Sequence, residues 1–208
     1  MYERTPKPEN NLEKSSIKEG VDFIFEQHPD LIEIGTKEQY SKYLDTIFPE
    51  SKFKDILWHG SKERIEKFDP NRVGDNTGNK VKSIFLTTNP KIASGYNPIV
   101  HGAIINLKGD KYDNATLSEI KKLLRIDLQG KLEEDELNEI ETLTLDDIEE
   151  YTRSDDNDTG KVFEDYLLQV GVTGEKFKEN DNLEYYDFDN IHILGSQSDR
   201  EKFMEFVQ

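Results

Sequence analysis

A histidine with a glycine directly behind it, His59-Gly60-Ser61, follows the short apolar run Ile56-Leu57-Trp58. Imidazole both donates and accepts hydrogen bonds. The end of a strand is a rigid mount for it, and a glycine lets a ligand approach the backbone closely. Farther along, Phe85 sits inside the run Ile84-Phe85-Leu86, and Tyr96 closes the segment 91–96. Aromatic rings so placed can stack on a flat ligand. Glu184 opens the run Glu184-Tyr185-Tyr186-Asp187-Phe188, where a carboxylate can stabilise a developing cation. Asp187 and Asp189 are the fallback carboxylates, and Arg72 and Lys80 are cations that can meet phosphate. Each has a plain structural reading beside it: a half-buried strand-end histidine, core aromatics, and surface charges. His28, His101 and His192 are scattered, with no i, i+4 pairing and no cysteine near them, so a zinc site is not expected.

Positioning these groups falls to short elements. Ile56 to Trp58 reads as a buried strand ending at His59, and Ile84 to Leu86 as a second. Thr87-Thr88-Asn89-Pro90 turns the chain into a short helix over 91–96, with Asn89 as N-cap and Pro90 at the first helical position. Upstream, residues 1–14 are polar and hold Pro6 and Pro8, which reads as a disordered or loosely docked leader. Ile17, Val21, Ile24 and Phe25 predict a helix that Pro29 ends. Thr36 with Gln39 is a capping-box pattern for a second helix carrying Tyr40, Tyr43, Leu44 and Ile47. The stretch 66–78 reads as a loop, without the Gly-Lys-Ser/Thr of a phosphate-cradling P-loop. Residues 101–107 predict a third strand, Thr116 with Glu119 a helix start, and 162–170 an amphipathic helix. A turn and strand are expected over 171–177 and closing strands over 183–188 and 191–194, with Ser198 and Glu201 capping a last helix.

At 208 residues the chain fits one domain with a helical appendage: a leader and helices over 1–50, then a main domain over 51–208. Within it, residues 131–159 hold thirteen acidic residues against two basic ones, a local charge of −11 out of the −17 of the whole chain. That tract reads as an acidic insertion, and 154–160 as a mobile loop. The charge argues against broad affinity for nucleic acid, which needs basic surface. With no cysteine, no early apolar run and no stretch near ~20 apolar residues, the expectation is a cytoplasmic protein without membrane contact.

The ordered set His59-Gly60-Ser61, Phe85, Tyr96 and Glu184 resembles the NAD-binding core of the ADP-ribosyltransferases of the His-Tyr-Glu type, shared by poly(ADP-ribose) polymerases and diphtheria-like toxins. The wording Gly35-Thr36-Lys37-Glu38-Gln39-Tyr40, Leu57-Trp58-His59-Gly60-Ser61 and Ile191-His192-Ile193-Leu194-Gly195-Ser196 is similar to the transferase-like modules of polyvalent proteins of phages and mobile elements. The likeness runs from Ile34 to the C-terminus. It implies an α+β fold whose split, mostly antiparallel sheet holds NAD, as co-substrate, in the cleft between its halves. Flanking helices and the N-terminal appendage would pack alongside, in the cytosol of a bacterial host.

By the same resemblance, His59 hydrogen-bonds the ribose of the adenosine half, the Gly60 backbone holds the nicotinamide carboxamide, and Ser61 completes that strand end. Tyr96 stacks on nicotinamide with Phe85 as second aromatic, Arg72 meets the pyrophosphate, and Glu184 steadies the ribose cation. The implied activity is transfer of single ADP-ribose groups to a macromolecular acceptor, a protein before a nucleic acid, with nicotinamide released and no metal. Two departures stand out. Ala93 takes the place of a serine or threonine found three residues before the stacking tyrosine, and Asn182 removes the Glu/Gln-x-Glu motif of the arginine-modifying branch. A degenerate NAD-binding member, or an acidic protein that blocks a basic partner, are the alternative readings.

Overall fold

The computed structural model describes residues 17–72, 83–109, 114–147, 165–176 and 182–208. The leader 1–14, Lys80, the part of the acidic tract beyond 147 and the loop 154–160 lie outside them. The architecture is α+β. Six strands form one sheet in the order β4-β5-β2-β1-β3-β6, with every neighbouring pair antiparallel. They are β1 (Leu57–Ser61), β2 (Ile84–Thr87), β3 (Ile99–Ile105), β4 (Gly174–Lys176), β5 (Asn182–Tyr185) and β6 (Ile191–Ile193). The helices with both ends described are α1 (Val21–Gln27), α2 (Lys37–Thr46), α3 (Pro90–Tyr96), α4 (Asn114–Leu128), α5 (Glu134–Glu139) and α6 (Gln197–Val207).

Alternation along the strands explains the layering. Trp58, Val100 and Ile104 point to one face, where they pack with Val21, Ile24 and Phe25 of α1, Tyr40, Tyr43 and Leu44 of α2, and Phe203 of α6. Leu57, Ile84, Leu86, Leu183, Tyr185 and Ile193 point to the other, beneath Phe68. The two N-terminal helices, expected as an appendage, thus share a core with the sheet. A further cluster joins α4 and α5 to Tyr166, Leu167 and Tyr186, and buries Leu137 and Ile140 of the otherwise acidic segment.

Local signals place several ends as expected. The Thr36 hydroxyl accepts from the Gln39 N–H at 3.2 Å, and the Gln39 side chain accepts from the Thr36 N–H at 2.8 Å. Asn89 caps α3 through the Lys91 N–H at 2.9 Å, with Pro90 first in the helix. Others differ. β1 continues through Ser61, so His59 is the third residue of five and not the strand end, because pairing with β3 carries on to Ser61 opposite Ile99. α4 begins at Asn114, which leaves Thr116 inside the helix. α6 is capped by Ser196, whose hydroxyl accepts from the Asp199 N–H at 3.2 Å, and not by Ser198.

Candidate functional site

The site grows from the place where the sheet is most weakly joined. β1 and β3 pair along the whole of β1, whereas β1 and β2 share a single register pair, Trp58 with Thr87. Continued antiparallel pairing would set Gly60 opposite Phe85, but there the two strands are not paired. His59 spans the opening instead: its Nδ1 lies 3.0 Å from the Phe85 carbonyl oxygen. A carbonyl only accepts, so Nδ1 carries the proton. Burial holds the imidazole below its ordinary range, partly offset by that same bond, so the ring is neutral near pH 7. Its Nε2 therefore presents a lone pair, with no hydrogen bond to any described residue. Phe68 meets the ring edge-on at 5.0 Å between centroids and fixes its plane.

The far side of the opening is set by register. Phe85 pairs with Glu184 across β2 and β5, so these two stand side by side on one face of the sheet. Glu184 is 3% exposed and accepts at Oε1 from the hydroxyl of Ser83, itself buried. In the sequence, Ser83 is a lone serine before an apolar run and gives no sign of its partner. A buried carboxylate is costly unless donors meet it, and this hydroxyl is one.

α3 roofs the β1 side. A Cβ on Gly60 would lie 2.1 Å from the Ala93 carbonyl oxygen and 3.2 Å from the Asn97 nitrogen. The close approach that this glycine permits is thus to the helix backbone, where sequence reasoning had expected a ligand. Ala93 is buried at the contact, while Tyr96 at the helix end is 68% exposed and Phe85 46%. Asn97 turns its side chain back, and its Nδ2 donates to the Gly60 carbonyl at 3.4 Å.

The remaining candidates sort by their partners. Ser61 is buried; its hydroxyl donates to the Glu63 carbonyl and accepts from His101 Nε2 at 2.9 Å, which holds the turn after β1. Arg72, in a 3-10 helix (Pro70–Arg72), ion-pairs with Glu63 on the surface. Such a pair is worth about 0–1 kcal/mol, so a phosphate could replace it cheaply. Asp187 binds the Asn190 side chain at 2.8 Å, and exposed Asp189 lies 3.7 Å from Lys67; neither stands on the Glu184 row.

A second polar cluster was not foreseen. Asp199, fully buried in the first turn of α6, accepts at Oδ2 from the Tyr40 hydroxyl at 2.5 Å and the Gly195 N–H at 2.7 Å. Its Oδ1 accepts from the Tyr43 hydroxyl at 3.1 Å and His192 Nε2 at 2.7 Å. Burial first, then the Asp199 charge, push the Tyr40 hydroxyl well above its usual range. One nitrogen of His192 faces both the carboxylate and the Tyr43 hydroxyl, so no imidazole relay leads from acid to nucleophile. The cluster is a structural joint between α2, β6 and α6.

Among the described residues, no group of three or more histidine, aspartate or glutamate side chains is arranged for a metal ion, and no helix is long and apolar enough to cross a membrane. Comparison with family models, with curated proteins and with solved structures returned no match.

Proposed function

We propose that this chain is an ADP-ribosyltransferase that moves ADP-ribose from NAD to a macromolecular acceptor, a protein rather than a nucleic acid, and releases nicotinamide. The observation that supports the reading is the end of pairing between β1 and β2 after Trp58 and Thr87, with His59 on the Phe85 carbonyl and Glu184 paired with Phe85 beside it. Breaking the bond between nicotinamide and ribose develops positive charge on the sugar, as in glycoside hydrolysis. Glu184 answers that charge from a buried position, where it acts through low dielectric. The Nε2 lone pair of neutral His59 accepts from a ribose hydroxyl. Tyr96 and Phe85, both well exposed for their size, offer ring faces to nicotinamide, and Arg72 exchanges Glu63 for pyrophosphate.

The test is labelled NAD incubated with the pure protein and a bacterial lysate. Label passing to a macromolecule, and lost in His59→Ala and Glu184→Gln, is the expected result. Nicotinamide release without transfer would indicate a glycohydrolase. No turnover together with no NAD binding would overturn the reading and favour an acidic protein that engages a basic partner.

A further inference from the structure

We infer that Asn97 is the residue that reads the nicotinamide carboxamide, supplying the polar contact that Ala93 lacks; the inference rests on the NAD reading above. Asn97 follows Tyr96 directly and ends α3 in extended backbone, with φ −154° and ψ 153°. Its N–H returns to the Ala93 carbonyl at 3.3 Å, and the half-buried side chain turns toward β1. There Nδ2 donates to the Gly60 carbonyl at 3.4 Å. Because that carbonyl cannot donate, the amide orientation follows: Nδ2 faces Gly60, and Oδ1 is the remaining acceptor.

A primary carboxamide brings two N–H donors and one carbonyl, and each donor left unmet in a closed site is penalised. The backbone of Gly60 offers one carbonyl with two lone pairs, one of them engaged by Asn97 at a long, easily shared distance. The methyl of Ala93 has no polar atom and is buried in the core. Asn97 Oδ1 is therefore the second acceptor within reach of a carboxamide seated on Gly60. Such a seat selects for the amide NH₂ itself and would not favour a ligand with a methyl group in its place.

The full chain is titrated calorimetrically with NAD and with 3-acetylpyridine adenine dinucleotide, in which a methyl replaces the amide NH₂. The wild type is expected to prefer NAD. Asn97→Ala should lose about three- to tenfold of that preference, the worth of one neutral hydrogen bond, by weakening NAD and sparing the analogue. Asn97→Asp keeps an acceptor oxygen and should keep the preference, while isosteric Asn97→Leu should lose it and serves if the alanine variant does not fold. A residue that merely ends the helix would weaken both dinucleotides alike, and that outcome, or an unchanged preference, overturns the inference. A wild type that binds NAD without discriminating overturns it and leaves the NAD reading standing; one that binds neither dinucleotide overturns both.

Discussion

Phe85 and Glu184 are partners across β2 and β5, yet the apolar residue is 46% exposed and the acid 3% exposed. This inverts the usual distribution, in which glutamate is among the residues least often buried. Exposing a ring and burying a carboxylate is unfavourable for folding alone, and on the proposed reading the pair serves a flat, cationic group. Glu184→Gln keeps the shape and removes the charge. Turnover of NAD should fall roughly 10²–10³-fold while NAD binding persists. Steady-state nicotinamide release and calorimetry on the same sample measure the two halves.

Ser83 gives the Glu184 carboxylate a hydroxyl donor inside the protein. Removing it leaves a buried acceptor short of a partner, and a bond to a charged group is worth about 1.5–3 kcal/mol. Ser83→Ala should destabilise the fold by that order in urea unfolding. In Ser83→Ala/Glu184→Gln the loss should shrink, because the charge that needed the donor is gone.

Gly60→Ala sets a methyl carbon against the Ala93 carbonyl, a backbone atom that cannot swing aside. α3 must lift from β1, at a cost of about 1–3 kcal/mol or more, and Tyr96 moves with it. A lowered unfolding midpoint together with a raised KM for NAD is expected. A rise in KM alone, with stability intact, would show that the helix contact is not what requires glycine here.

The contrast between Ser83 and Asn89 shows which parts were legible in the sequence. Asn89 acts two residues away, on the Lys91 N–H, and Thr36 acts on Gln39 within one turn. Those patterns are local, so α2 and α3 could be read directly. Ser83 acts on a residue of a distant strand, and only the β2–β5 register brings the two together. The last helix shows the same limit. Ser196 and Asp199 compete with Ser198 and Glu201 for the cap, and short-range chemistry does not separate them. The tertiary bonds of Asp199 to Tyr40 and Tyr43 decide for Ser196. His59, Phe85, Tyr96 and Glu184 could be named from their flanking runs, but how they lie about the opening depends on where β1 and β2 stop pairing.

Burial holds the imidazoles of His59, His101 and His28 below the ordinary value of 6.5. The unfolded chain therefore takes up protons as the pH falls through 6.5 while the folded chain does not yet do so. The stability that these groups contribute is fully present above 6.5 and is lost as the pH drops toward their folded values. Urea midpoints should be level at about pH 7.5 and decline toward about pH 5.5, with a shallower decline in His101→Gln. On the proposed reading, in which NAD meets the neutral Nε2 of His59, NAD affinity should hold steady across neutral pH and weaken only below 6.5.

Asp199 is where the N-terminal helices are fastened to the sheet. Two tyrosines of α2, the Gly195 N–H and His192 of β6 converge on its two oxygens, and Tyr40 and Asp199 are both fully buried. Asparagine at this position replaces an acceptor with an NH₂ that faces donors, so at least one buried hydroxyl or N–H loses its partner. Breaking one side of a buried charged network costs about 3–5 kcal/mol, and Asp199→Asn should lower stability by that order. Tyr43→Phe removes one donor among four and should cost about 1 kcal/mol. The distinction between joint and catalytic group rests on function: at a temperature where Tyr43→Phe remains folded, its rate of nicotinamide release should equal that of the wild type. A rate loss exceeding the loss of folded protein would place this network in the chemistry after all.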